Sequence, residues 1–104
     1  MHEKSTSYFM LIQGFVWIDS IIYKLASKHA VSSEEVEEIF RNKPWLKKGP
    51  LGHRPGENGY YALGKTFSGR CLFVFFILKK NKKALVITAR DMTKSERKLY
   101  EKRK

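Results

Sequence analysis

The chain has few of the groups that most often carry chemistry. It has a single cysteine, Cys71. No internal disulfide can form, and no thiolate cluster exists to hold zinc. At the head of an apolar stretch, Cys71 reads as a small buried hydrophobe, in keeping with a reducing cytoplasm. The longest unbroken apolar run, Cys71 to Leu78, falls far short of the roughly 18–20 residues a membrane-spanning helix needs, so no membrane is expected. Residues Tyr8 to Ile18 have the look of a signal-peptide core. Gln13-Gly14 interrupts them, Asp19 follows at once, and no small-residue cleavage site is in place. There is no G-x-S-x-G, no P-loop and no H-E-x-x-H. His29 and His53 lack a partner at metal-ligand spacing. The acids crowd one helix turn instead of converging as a two-metal nuclease requires. No metal and no cofactor are therefore expected.

Acidic residues are also scarce beyond position 40. Residues 1–40 hold three Lys against six acids, a net −3; residues 41–104 hold eighteen Lys and Arg against four acids, a net +14, giving the chain its formal +11. A basic two-thirds behind an acidic front suggests a face for a polyanion, nucleic acid or another phosphate polymer; the other reading is a lysine-rich surface of an ordinary soluble protein. The 104 residues fit one domain, placed at 10–104. Residues 1–9 are polar and poorly patterned and read as a disordered extension ahead of a natural start at Met10.

The periodicities predict an α+β fold: two N-terminal helices, a mainly antiparallel sheet of three to four strands, and a C-terminal helix. Leu11 to Trp17 reads as a short strand. Asp19 or Ser20 opens a helix whose Ile18, Ile21, Ile22, Leu25, Ala26 and His29 follow helical spacing. Ser32 and Glu35 form a capping box for a second helix, stapled by Val31 and Val36, with Val36, Ile39 and Phe40 as its buried stripe and Pro44 as its stop. Residues 45–58, with two prolines and several glycines, read as a long loop with at most a short strand at its start. Three strands follow: 60–67, 70–79 and 84–90. The middle one, apolar on both faces, should be central and covered. Thr93 and Glu96 form another capping box, opening a helix to about Lys102 in which Leu99 is the clearest apolar anchor.

This pattern suits RNA cleavage without a metal. The 2′-hydroxyl of RNA is the nucleophile, so the protein need only bind the phosphate, spread the developing charge and place an acid and a base. Arginine suits the phosphate because its planar fork reaches two oxygens at once. Arg90, ending a strand, and Arg70, after a hairpin glycine, are the candidates, gathered into one pocket. Either can instead pair with Glu96 or Glu57 and tie the sheet together. His29 and Glu57 are the candidate proton-transfer groups; His29 can equally be a structural histidine and Glu57 a solvated glutamate. Tyr100 can donate to a phosphate or pack its helix. Trp45, Tyr60, Tyr61 and Phe67 are possible stacking platforms for single-stranded RNA.

These residues also carry a resemblance. Lys28-His29-Ala30-Val31 with Ser33-Glu34-Glu35-Val36 and Ile39-Phe40, then Gly56-Glu57, then Ala62 to Thr66 with Gly69-Arg70, then Ile87-Thr88-Ala89-Arg90-Asp91-Met92 and Glu96-Arg97-x-x-Tyr100 resemble the BrnT-type toxins over roughly residues 10–102. Trp17 lies eleven residues before Lys28, as the tryptophan of that family does. The resemblance implies a RelE-like fold, a ribonuclease that arrests translation, and a cognate antitoxin of BrnA type that occludes the toxin and binds operator DNA, with oligomers formed through the toxin–antitoxin complex. On the ribonuclease reading, Arg90, Arg70, Glu57 and His29 are the expected catalytic residues and Lys28, Lys65, Arg97, Tyr100 and Arg54 the expected RNA-binding ones. The chain departs from the pattern at Ile18, where an Asp is usual, and at Gly59, where a basic residue is frequent. The alternative is a non-catalytic RNA-binding or protein-interaction module on the same scaffold. A DNA-binding regulator is a weaker option, since no recognition helix stands out.

Overall fold

In the computed structural model, residues 12–51 and 58–103 are described. The elements run β1 (Gly14–Val16), α1 (Asp19–His29), α2 (Ser33–Arg41), β2 (Trp45–Leu51), β3 (Asn58–Lys65), β4 (Cys71–Leu78), β5 (Lys83–Asp91) and α3 (Lys94–Lys102). The five strands form one sheet in the order β1-β5-β4-β3-β2. β1 runs parallel to β5, and the other pairs are antiparallel.

Local chemistry accounts for the helix boundaries. In α2 the Ser32 hydroxyl accepts from the Glu35 amide and the Glu35 carboxylate accepts from the Ser32 amide, both at 3.1 Å. The same box, Thr93 with Glu96, opens α3. Such a cap satisfies amides that would otherwise lack a partner and contributes about 1 kcal/mol. α1 begins without a side-chain cap and ends at Ala30, whose φ of 53° lies in the left-handed region usually left to glycine. Val31 closes the turn by donating to the Leu25 carbonyl.

The core lies between the two N-terminal helices and one face of the sheet. Leu25, Val31, Val36, Ile39 and Phe40 pack on Tyr60, Ala62, Leu72, Val74, Phe76, Ala84, Val86 and Ala89. Each large side chain buried here contributes about 1.5–3 kcal/mol. Phe40 meets Phe76 and Phe15 edge-on, with ring centroids 5.3 and 5.1 Å apart. At Gly64 the packing is so close that a Cβ would stand 3.1 Å from the Ile39 Cβ. Glycine is thus what lets α2 sit down on β3.

Three expectations are corrected. The sheet has five strands, because residues 45–51, read as the start of a long loop with at most a short strand, form the full edge strand β2. The Lys47-Lys48-Gly49-Pro50 run hides its alternation, but an edge strand tolerates lysines and a proline, and the β2–β3 pairing is irregular between Lys48 and Leu51. The central strand β4 is not equally covered on both faces. Leu72, Val74 and Phe76 are at most 1% exposed, whereas Phe73, Phe75 and Ile77 stay half-buried. Nor is Leu99 the anchor of α3, being 54% exposed. Tyr100, one helical step on, is 6% exposed and packs with Leu63, Cys71 and Met92 on the second face of the sheet. No helix among the described residues is long and apolar enough to cross a membrane.

One irregularity decides the face on which Arg90 falls. Between Phe75 and Phe76 the register with β5 shifts: Phe76 opposes Val86, but Phe75 opposes Thr88. The extra residue reverses the alternation of β5. Ahead of it Ala84 and Val86 face the helices; after it Ala89 does, while Arg90 opposes Phe73 on the other, open face.

Candidate functional site

Two charged centres sit back to back at the end of β5. Arg90 and Asp91 are consecutive strand residues, so their side chains leave opposite faces of the sheet. On the helix side, Arg70 meets Asp91. Its Nε donates to Oδ1 at 2.8 Å and Nη2 to Oδ2 at 3.2 Å. Nη1 donates to the Ala30 carbonyl at 2.7 Å and to the Glu35 carboxylate at 3.1 Å, and Nη2 to the His29 carbonyl at 3.0 Å. A guanidinium has five N–H donors, and all five are engaged. Arg70 therefore binds the last carbonyls of α1, where the helix dipole favours a cation. It also holds the capping carboxylate of α2 and the end of β5. The paired guanidinium holds the Asp91 carboxyl below the usual aspartate range.

On the open side, Arg90 lies over the Phe73 ring, with its guanidinium carbon 4.2 Å from the ring centroid. Nη1 and Nη2 grip the two Glu96 oxygens at 2.8 and 2.9 Å, and Nη1 also donates to the Asp91 carbonyl at 3.0 Å. These bonds use three of the five donors. The Nε–H and the outer Nη2–H have no partner among the described residues. Together they form the second two-toothed edge of the guanidinium, the edge that fits two oxygens of a phosphate or carboxylate. Glu96 is itself fixed by the Thr93 cap, and the Arg90 contact holds its carboxyl below the usual glutamate range.

The two arginines expected to share a pocket thus do not form one. They lie on opposite faces, each held by a carboxylate. Other expected site residues are scattered. Lys28 is exposed at the end of α1, and the half-buried His29 lends its carbonyl to Arg70. Lys65, at the end of β3, opposes Cys71. Arg97 is exposed and 3.7 Å from Glu101. Tyr100 is buried, with Arg103 stacked on its ring at 3.8 Å. Glu57, Arg54 and His53 lie outside the described residues. Of the stacking candidates, Trp45 and Tyr61 are half-buried on the open face. Tyr60 is 7% exposed and stacked on Phe76 in the helix-side core, and Phe67 stands 64% exposed in the turn after β3. Phe73, Phe75 and Thr88 were not singled out, although they neighbour Arg90 across the open face. Their signal was present in the second apolar face of β4, which read simply as core. Among the described residues no three His, Cys, Asp or Glu side chains gather as metal ligands.

No curated protein matches this chain. Among solved structures, the fold resembles the 1.1 Å crystal structure of the Brucella abortus ribonuclease toxin BrnT. That match has a TM-score of 0.55 and 16% identity and covers 78% of this chain and 97% of that one. At such identity the likeness speaks for the fold alone. A family profile described as ribonuclease toxin, BrnT, of type II toxin–antitoxin system matches residues 23–96. That span runs from α1 through the Arg90–Glu96 pair, well over half of the chain, and the protein belongs to the BrnT family of ribonuclease toxins of type II toxin–antitoxin systems.

Proposed function

We propose that this toxin cleaves single-stranded RNA internally and without a metal ion, with Arg90 as the residue that holds the scissile phosphate. The observation that carries this reading is the open Nε–Nη2 edge of a guanidinium fixed between Glu96 and the Phe73 ring. Fixing the fork beforehand removes the ordering cost from the reaction, and its charge meets the negative charge that grows on the phosphoryl oxygens. In the reaction, the 2′-oxygen bonds to phosphorus while the bond from phosphorus to the 5′-oxygen breaks. One group takes the 2′-hydroxyl proton and another delivers a proton to the leaving 5′-oxygen, yielding a 2′,3′-cyclic phosphate. Glu57 is proposed for one of these proton transfers; His29, whose carbonyl holds Arg70 on the helix side, lies across the sheet from Arg90 and is read as a structural residue. Arg70, with every donor engaged, serves as the brace that holds both helices to the sheet end, and its part in catalysis is positional. Lys28, Lys65, Arg97 and Arg54 are proposed to steer and hold the rest of the RNA backbone.

A type II toxin has a protein antitoxin and an RNA target. We assign the antitoxin to the BrnA type, acting in the cytoplasm and covering the basic open face. The experiment incubates purified toxin with RNA in EDTA beside Arg90→Ala and Arg90→Lys. Cleavage by the wild type, a loss of roughly 10²-fold or more in Arg90→Ala, and little recovery in Arg90→Lys, which lacks a fork, are expected. Equal cleavage by Arg90→Ala would remove Arg90 from the site. Salt-sensitive RNA binding by all three proteins with no cleavage would establish the non-catalytic module instead.

A further inference from the structure

The second face of the sheet is built unlike an ordinary solvent face. Across β2, β3 and β4 it carries Trp45, Tyr61, Phe73 and Phe75, all half-buried. Tyr61 is central, its ring centroid 5.0 Å from Phe73 and 5.4 Å from Phe75. The row carries a cation at each end. The Lys47 ammonium sits 5.0 Å from the Trp45 ring, and the Arg90 guanidinium 4.2 Å from the Phe73 ring. α3 covers one corner, where Leu63, Cys71, Met92 and Tyr100 form a buried cluster with Trp45, Tyr61 and Phe73 packed against it. Beside the row β2 approaches β3 closely: a Cβ at Gly49 would stand 3.2 Å from the Gly59 carbonyl oxygen and 3.4 Å from the Phe75 ring. A row of rings flanked by cations, on the basic part of the chain, complements a ligand that offers flat apolar faces on an anionic backbone. That description fits unpaired nucleotides and fits neither a duplex, whose bases are stacked away, nor an apolar peptide.

We infer that Tyr61 and Phe75, with Phe73 under Arg90, form a stacking platform for the bases next to the phosphate held by Arg90, so that the toxin selects single-stranded RNA by base stacking more than by sequence. This rests on the ribonuclease reading above. The platform makes no bond to the reacting atoms. It acts through substrate affinity, and stacking of this kind is sequence-tolerant because every base has a π-face.

The probe is a labelled single-stranded oligonucleotide with 2′-O-methyl sugars, which lacks the nucleophile and stays intact. An abasic oligonucleotide of the same length and charge is the control. Wild-type toxin is expected to bind the base-bearing strand about tenfold or more above the abasic one. Phe75→Leu keeps apolar volume and removes the π-face; Tyr61→Ala removes the central ring. Both are expected to lose most of that difference while abasic binding stays unchanged, and to raise KM for unmodified RNA with kcat nearly intact. Thermal melting identifies a variant that has failed to fold, in which case Phe75→Leu decides. If both variants discriminate like the wild type while the wild type still cleaves RNA, the platform is refuted and the ribonuclease reading stands. If the wild type binds neither strand and cleaves nothing, both fall. If it binds them equally, the rings serve another purpose, such as docking the antitoxin, and the platform is overturned.

Discussion

Arg70 and Arg90 show how one side-chain type takes two roles according to how many of its donors the fold engages. Arg70 has all five N–H groups bonded and a side chain only 26% exposed. Replacing it with methionine keeps the apolar stem but takes the cation from two carboxylates and the donors from two helix-end carbonyls. The expected cost is roughly 2–3 kcal/mol, below the range for fully buried pairs because Asp91 is open to water. Urea titration measures it, and Arg70→Lys should recover little because lysine has no fork. The pH dependence follows from the carboxyls. Asp91 and Glu96 are both lowered in the native state, chiefly by hydrogen bonds from Arg70 and Arg90 respectively. Their stabilisation is fully present above the unfolded-state carboxyl pKa and is lost as pH falls through the lower native values. Stability should therefore decline in the acid range below about pH 4. The Asp91 part of that decline should vanish in Arg70→Met.

Among the elements, α3 links stability to the site. It is a nine-residue helix with one buried side chain, Tyr100, so its cap weighs heavily. Thr93 accepts from the Glu96 amide, and the Glu96 carboxylate bonds both the Thr93 amide and Arg90. Thr93→Ala should cost about 1 kcal/mol in urea unfolding. It should also lower RNA cleavage severalfold, since Glu96 then holds Arg90 less firmly. Ser32→Ala removes the same kind of cap from α2 at a similar cost. Because Glu35 meets Arg70 and not Arg90, its effect on cleavage should be far smaller. That contrast, read in paired stability and activity assays, separates the two centres.

For the molecule as a whole, the asymmetry of charge sets how it meets RNA. The formal +11 arises entirely beyond residue 40, while the acids of α2 lie on the helix layer. Binding to the 2′-O-methyl strand should weaken steeply with salt. For roughly four phosphates contacted, affinity should fall about fifty-fold between 50 and 200 mM salt. A salt-independent affinity would remove the polyanion reading of this charge.

Much of this architecture can be read from residues close together in the chain. The capping boxes at Ser32 and Thr93, the stripe of Val36, Ile39 and Phe40, and the central apolar strand are local patterns, because helix ends and helix faces depend on neighbours within a turn or two. The BrnT-like motifs were legible for the same reason. The faces on which the two arginines fall could not be read in that way. Strict alternation puts Arg90 on the same side as Val86, among the helices and near Arg70. The single extra residue opposite Phe75–Phe76 reverses this and turns Arg90 to the open, aromatic side. Such a bulge arises from how two strands settle against each other and against the layer above, a balance of packing between residues distant in the chain. The partners of Arg70 are likewise drawn from 21 to 41 positions away. Long-range packing therefore separated the fully bonded arginine from the one that keeps an open edge.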